Sequence, residues 1–186
     1  MATDPTLPPP RLRGMRVLMF VGDIYEDLAL LDPRDRLIEE GAEVLLAGLD
    51  PAGTVSTGKH GYPIASDAHV KDVDAASFDA LVVPGGFMPD KLRRDPTVLD
   101  LTRRIFKAGK PVAHICHGGW IPISAGIVRG FTMTSTPGIK DDLVNAGAEW
   151  VDREVVVDRI QITSRRPDDL PAFCRAIIAA MESTST

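Results

Sequence analysis

Cysteine is scarce in this chain: 186 residues contain only Cys116 and Cys174, in unlike contexts. That excludes a disulfide framework, and no C-x-x-C or distant H-x-x-H pair offers a zinc site. No apolar run approaches the roughly 20 residues that a membrane-spanning helix needs. Lysine and arginine form no block and the net charge is −5, which argues against nucleic acid and anionic membranes as partners. No G-x-G-x-x-G follows the first apolar run at residues 16–21, so a dinucleotide fingerprint is absent. No internal repeat or second domain is evident. Residues 1–14 are polar and proline-rich, with no apolar run of signal-peptide type. They read as a disordered or surface-draped tail ahead of one domain over 15–182, with residues 183–186 fraying. The chain is expected to be cytoplasmic.

What is present is an ordinary globular composition, 44% hydrophobic and 25% charged. Residues 16–21, 43–49, 80–83 and 111–115 are short apolar runs of the buried-strand kind. A helix is predicted over 26–40, with Leu28, Leu31 and Leu37-Ile38 on its buried face, Pro33 inside it and Gly41 as its stop. Further helices are predicted over 96–108, 120–125, 138–146 and 168–181, the last with Asp168 or Asp169 near its N-cap. The Gly-, Thr- and Ser-rich stretch 50–69 reads as a hairpin-like excursion with strands at 54–56 and 63–65. A strand at 132–134 and a hairpin of 154–158 with 160–163 follow. The hairpin's turn at Asp158-Arg159 lacks the glycine normally found there. Strands alternating with helices imply a single α/β sandwich around a mostly parallel sheet.

Chemistry concentrates at residues 111–120, Pro-Val-Ala-His-Ile-Cys-His-Gly-Gly-Trp. A buried strand here breaks into a sharp turn and a helix, the layout of a nucleophile elbow. Gly118 and Gly119 supply the small residues such a turn requires. The helix dipole aimed at Cys116 is expected to favour thiolate, with His117 beside it. Two other strand ends carry residues suited to a site: residues 22–27, with Glu26, and Pro84-Gly85-Gly86. If those strands are neighbours, Glu26 and the amides of Gly86 and His117 converge on one sulfur, the amides as an oxyanion hole. Plainer readings stand beside these. Glu26 also suits a first-turn acid, His114 a satisfied core histidine, and Cys174 a small buried hydrophobe.

Ile115-Cys116-His117-Gly118, Pro84-Gly85-Gly86 and Tyr25-Glu26-Asp27 resemble the ThiJ/PfpI family of flavodoxin-like cysteine proteins, related to class I glutamine amidotransferases. TGKHGY at 57–62, PGIKDD at 137–142, NAGAEW at 145–150 and TSR at 163–165 resemble its PfpI branch, and the likeness spans residues 15–181. The resemblance implies a three-layer sandwich, no cofactor, no metal, and a homodimer or higher homo-oligomer. It assigns the nucleophile to Cys116, the acid/base to His117 and a carboxylate on the thiol to Glu26. Asp90 is implied as an acid orienting the histidine from a neighbouring subunit, although an aspartate there also suits a helix N-cap. Gly86 and His117 are implied as oxyanion amides, with Gly85 and Thr136 in the pocket. The chain departs from the family pattern at His114 (usually small), Gly119 (commonly proline), Ala29 (often a second acid) and Thr136 (commonly tyrosine).

The expected activity is a cysteine enzyme of glyoxalase III or deglycase type, turning 2-oxoaldehydes into 2-hydroxy acids. Two alternatives remain: a peptidase or amidase with a Cys-His-Asp site at a subunit contact, and a redox sensor oxidised at Cys116.

Overall fold

Runs rich in valine, leucine and isoleucine become strands buried on both faces. The computed structural model describes residues 9–184. Its strands are β1 (Arg16–Phe20), β2 (Glu43–Gly48), β3 (Val55–Thr57), β4 (Pro63–Ala65), β5 (Ala68–His69), β6 (Ala80–Val83), β7 (Val112–Ile115), β8 (Thr132–Met133), β9 (Glu149–Trp150), β10 (Val155–Asp158) and β11 (Gln161–Ser164). The α-helices are α1 (Asp27–Glu39), α2 (Met88–Leu92), α3 (Pro96–Lys107), α4 (Trp120–Ala125), α5 (Lys140–Asn145) and α6 (Leu170–Thr184). The main sheet has the order β10-β11-β7-β6-β1-β2-β5 and is parallel except at the β10–β11 hairpin. From β1 the chain moves one way to β2, and from β6 the opposite way to β7. Right-handed crossovers therefore put α1 and α3 on opposite faces. α6 packs beside α1, and α4 beside α3. This is the expected α/β sandwich, and it makes β7, β6 and β1 direct neighbours.

Several elements differ from the sequence reading. The buried face of α1 is Ala29, Leu30, Pro33 and Leu37, whereas Leu28 and Ile38 are 49% and 44% exposed. Leucine count does not set that rotation. The helix is pinned at its start, where the Glu26 side chain caps the Ala29 amide at 2.7 Å and Asp27 is buried. α1 runs through Pro33, which has no N–H to donate to the Ala29 carbonyl.

The tail is shorter than its composition suggests. Leu12 is fully buried, its amide bonded to the Glu40 carbonyl at 2.8 Å, and Arg11 pairs with Glu40 and Glu182. The rest of the expected tail, residues 1–8, lies outside the described residues. At the other end, Ser183 and Thr184 continue α6, their hydroxyls bonded to the Ala180 and Met181 carbonyls. Residues 185–186 of the expected fraying end also lie outside the described residues.

Asp169 stands directly before α6, as expected, but its side chain is engaged elsewhere. A 3₁₀ turn, Pro167–Asp169, precedes that helix, and both Asp169 oxygens hold the Arg165 guanidinium, at 2.9 and 3.1 Å. The hairpin turn without a glycine is made by Arg159 at φ +56°. The strain is offset where its guanidinium meets Asp158, the Gly130 carbonyl at 2.7 Å and the Phe131 ring at 3.6 Å. β5, α2 and β9, which the sequence did not suggest, have two to five residues each and too little pattern to read.

β7 carries an unusual burden, because His114 inside it is fully buried. Burial holds its imidazole down at about 3, against an ordinary 6.5. Below pH 6.5 the unfolded chain takes up this proton and the native one does not, so stability falls as pH drops toward 3. The expected contribution to the slope is about 1.4 kcal/mol per pH unit in urea-unfolding free energy, absent in His114→Asn. Parallel pH profiles for the two proteins would contradict it.

Candidate active site

Cys116 begins a 3₁₀ turn, Cys116–Gly119, between β7 and α4, and its backbone sits at φ +58°. A non-glycine residue reaches that conformation only where its surroundings impose it. Here the imposing contacts are backbone. A Cβ on Gly118 would lie 2.5 Å from the Val83 carbonyl oxygen, and one on Gly85 would lie 2.7 Å from the Cys116 Cβ. The ends of β6 and β7 thus meet without room for a methyl group. Gly86, at φ +89°, would place a Cβ 2.4 Å from the Ile24 carbonyl oxygen. Through the Tyr25–Gly86 bridge, the end of β1 is drawn onto the same point. The three strand ends that the sequence singled out do converge.

The sulfur faces the imidazole of its neighbour, with Cys116 Sγ 3.3 Å from His117 Nδ1. The amides of Gly86 and His117 are directed at the sulfur. The thiolate expected from the helix dipole is not the resting form. Burial pushes the Cys116 thiol above its ordinary value and the Glu26 carboxylate adds to this. The two amides and Lys59 pull it back without reversing it. α4, six residues long and set beyond a 3₁₀ turn, supplies only a weak dipole. Burial, reinforced by Lys59, also holds His117 below its ordinary value. A neutral thiol beside a neutral imidazole is the consequence, so His117 is placed to accept the proton as sulfur attacks.

The remaining expected residues fall out unequally. Glu26 is buried near the sulfur but makes no hydrogen bond to it; Oε2 caps α1, and Oε1 lies 3.8 Å from His60 Nε2. Asp90, in the first turn of α2 rather than at its N-cap, pairs with Arg94 of its own chain. Thr136 lines a cleft of about 260 Å³ with Pro137, Asp152, Arg165 and Arg166. Gly138, which follows Pro137 of that cleft, comes close to the pair: a Cβ on it would lie 3.3 Å from His117 Nε2. Cys174 is buried in α6, as expected of a small hydrophobe, and burial raises its thiol to about 11. Among the described residues, no group of three His, Cys, Asp or Glu side chains could hold a metal ion, and no helix is long and apolar enough to cross a membrane.

Some contributors were not foreseen. The His117 ring lies between two aromatic rings, Phe87 at 6.3 Å with nearly parallel planes and Trp120 at 4.9 Å. Trp120 is itself tied by its Nε1–H to Asp142 at 2.7 Å. A Trp four residues after the nucleophile was the available signal. The TGKHGY loop folds over the end of β1 and brings Lys59 toward the cysteine–histidine pair. Asp27 is its clamp: the amides of His60 and Tyr62 donate to its oxygens at 2.8 and 3.0 Å, and Gly58 packs against the carboxylate. The Tyr25 hydroxyl adds a bond to the Tyr62 carbonyl at 2.6 Å.

Comparison with known proteins agrees with this geometry. The chain matches the DJ-1/PfpI family over residues 15–180. It is 48% identical over 168 residues to a protein of Pyrococcus abyssi named a deglycase, covering 90% of this chain and all of that one. It is 42% identical over 161 residues to protein/nucleic acid deglycase 2 of Escherichia coli, covering 86% and 94%. The crystal structure of Drosophila melanogaster DJ-1beta superposes with a TM-score of 0.84 at 28% identity, over 90% of each chain.

The clamp generates a prediction. Burial raises the Asp27 carboxyl, but the amide donors of His60 and Tyr62 outweigh it and leave it below its ordinary value. Its stabilisation is therefore present above pH 4 and lost as pH falls through the folded value. Asp27→Asn leaves one amide facing another N–H donor and should cost about 1–3 kcal/mol of stability at pH 7. It should also speed tryptic cleavage after Lys59. Unchanged cleavage would mean that the loop is held by something else.

Proposed function

The chain belongs to the DJ-1/PfpI family, and from that premise we propose that it is a cysteine-dependent deglycase of the glyoxalase III type, acting on small reactive carbonyls and their early adducts. The observation that carries this reading is the 3.3 Å approach of His117 Nδ1 to a sulfur already facing two amides. It is supported by the deglycase names of relatives that share over 40% of their residues with this chain.

In this scheme the Cys116 sulfur adds to the aldehyde carbon of a 2-oxoaldehyde while His117 Nδ1 takes the thiol proton. The amides of Gly86 and His117 turn from sulfur to the new oxyanion. His117 returns its proton to that oxygen, giving the hemithioacetal, which isomerises as the freed imidazole carries a proton from the aldehyde-derived carbon to its neighbour while the hydroxyl proton passes to the neighbouring oxygen. A thioester of the 2-hydroxy acid results. Water cleaves it, releasing the acid and restoring the thiol; no redox partner is consumed. With a hemiaminal adduct, the C–N bond breaks as the hydroxyl proton passes by way of His117 to the departing amine, and the aldehyde so freed is attacked by sulfur as above. The substrates are thus small carbonyls or the modified peptides that carry them, and neither a cofactor nor a metal takes part.

A homodimer or higher homo-oligomer belongs to the same proposal. Among the described residues His117 donates to no carboxylate of its own protomer, and Asp90 of a neighbour is the acid that would reach it. The peptidase alternative needs that contact, and the sensor alternative needs a readily ionised thiol, which burial of Cys116 disfavours.

Wild type and Cys116→Ala should be assayed side by side on 2-oxoaldehydes, methylglyoxal-modified peptides, amides and unmodified peptides. Loss of at least about 10³-fold in 2-hydroxy acid release is expected for Cys116→Ala. Equal release by the variant, or cleavage of unmodified peptides alone, would overturn the reading. Because His117 works as a base and its value lies below 6.5, kcat/KM should stay level from pH 8 to near 6.5 and fall only below that. An acid limb centred above pH 7 would exclude His117 as that base.

A further inference from the structure

The chemistry above leaves His114 without a task. It lies two residues before Cys116 and is fully buried, and neither ring nitrogen has a hydrogen-bond partner among the described residues. Thr134 Oγ1 and Gln161 Oε1 share that condition, and no other buried side-chain nitrogen or oxygen among the described residues does. The four atoms are not scattered. β7 and β11 pair with His114 opposite Thr163 and Val112 opposite Gln161, so His114, Thr163 and Gln161 point to one side of the sheet. Thr134 joins them where its amide donates to Thr163 Oγ1 at 3.0 Å. The imidazole also backs the catalytic turn, since a Cβ on Gly119 would lie 3.3 Å from His114 Nδ1.

Buried polar atoms in native proteins are satisfied by protein or by ordered water with two to four polar partners. Here the protein has little left to give. Thr163 Oγ1 already accepts from Thr134 and donates to the Val156 carbonyl at 3.4 Å. A neutral imidazole offers one donor and one acceptor, and the Thr134 hydroxyl offers both. We infer that a water molecule held between His114 and Thr134, behind the nucleophile turn, is an integral part of the fold, and that through it His114 is a positioning residue for Cys116. Anchored in this way, the ring presses on Gly119 and keeps the 3₁₀ turn aimed. Two departures from the family pattern, the imidazole at 114 and the glycine at 119, are then linked, the ring together with Ile139 Cδ1 taking volume that a larger residue at 119 would need.

The sign of a stability change separates a hydrated pocket from a dry one. Thr134→Val keeps the shape and removes the hydroxyl, His114→Leu removes both nitrogens, and His114→Gln retains a donor and an acceptor. With bound water, Thr134→Val and His114→Leu lower Tm by about 2–4 °C or more. Both also shift the pH profile of Cys116 alkylation by iodoacetamide, and His114→Gln recovers most of each effect. A high-resolution crystal structure of the wild-type protein then shows an ordered water within hydrogen-bond reach of the ring and of Thr134. A rise in Tm for Thr134→Val with an unmoved alkylation profile, or no water density at that position, overturns the inference. Should His114→Leu fail to fold, Thr134→Val and the density decide.

Discussion

Everything at the functional end of this molecule depends on a collision that glycine avoids. The ends of β6 and β7 approach so closely that Gly118 meets the Val83 carbonyl and Gly85 meets the Cys116 Cβ, with no space for a methyl at either place. That approach holds Cys116 in a left-handed conformation it would not otherwise adopt. The same crowding brings the Gly86 amide to the sulfur and, through Ile24 and Tyr25, seats Glu26 and Asp27 at the start of α1. Turn strain, the amides at the sulfur and the loop clamp are thus consequences of one backbone arrangement.

Electrostatics then decides the resting form of Cys116. A helix dipole alone argues for thiolate, but the dipole is short and the sulfur is largely buried, so desolvation prevails. Two amides and Lys59 favour negative charge at the sulfur without producing it in the resting protein. Such an arrangement favours a transition state over a resting anion. It also keeps the thiol less exposed to casual oxidation than a free thiolate would be.

The strands, their parallel pairing and the position of the elbow were legible because each rests on a local pattern: apolar runs, glycine pairs, one cysteine after a buried strand. The rotation of α1 was not, since its leucines suggest one face while the Glu26 cap and the buried Asp27 set another. Leu12 looked like tail because its proline-rich context hides a single anchoring residue. Nothing in the sequence marks Asp27 as a clamp, because only folding brings the amides of His60 and Tyr62 to its oxygens. The rings flanking His117 escaped for the same reason: Phe87 comes from the turn after β6, thirty residues away.

The central claim is that Cys116 bonds the carbonyl carbon and His117 moves the protons that let it go. Mass spectrometry of the His117→Ala protein after brief incubation with a 2-oxoaldehyde tests it most directly. The account predicts that His117→Ala releases no 2-hydroxy acid and that any oxoaldehyde mass it carries lies on Cys116, while the wild-type enzyme releases the acid and returns to its free mass. Turnover by His117→Ala at the wild-type rate, or an adduct on Cys174 with none on Cys116, would contradict it.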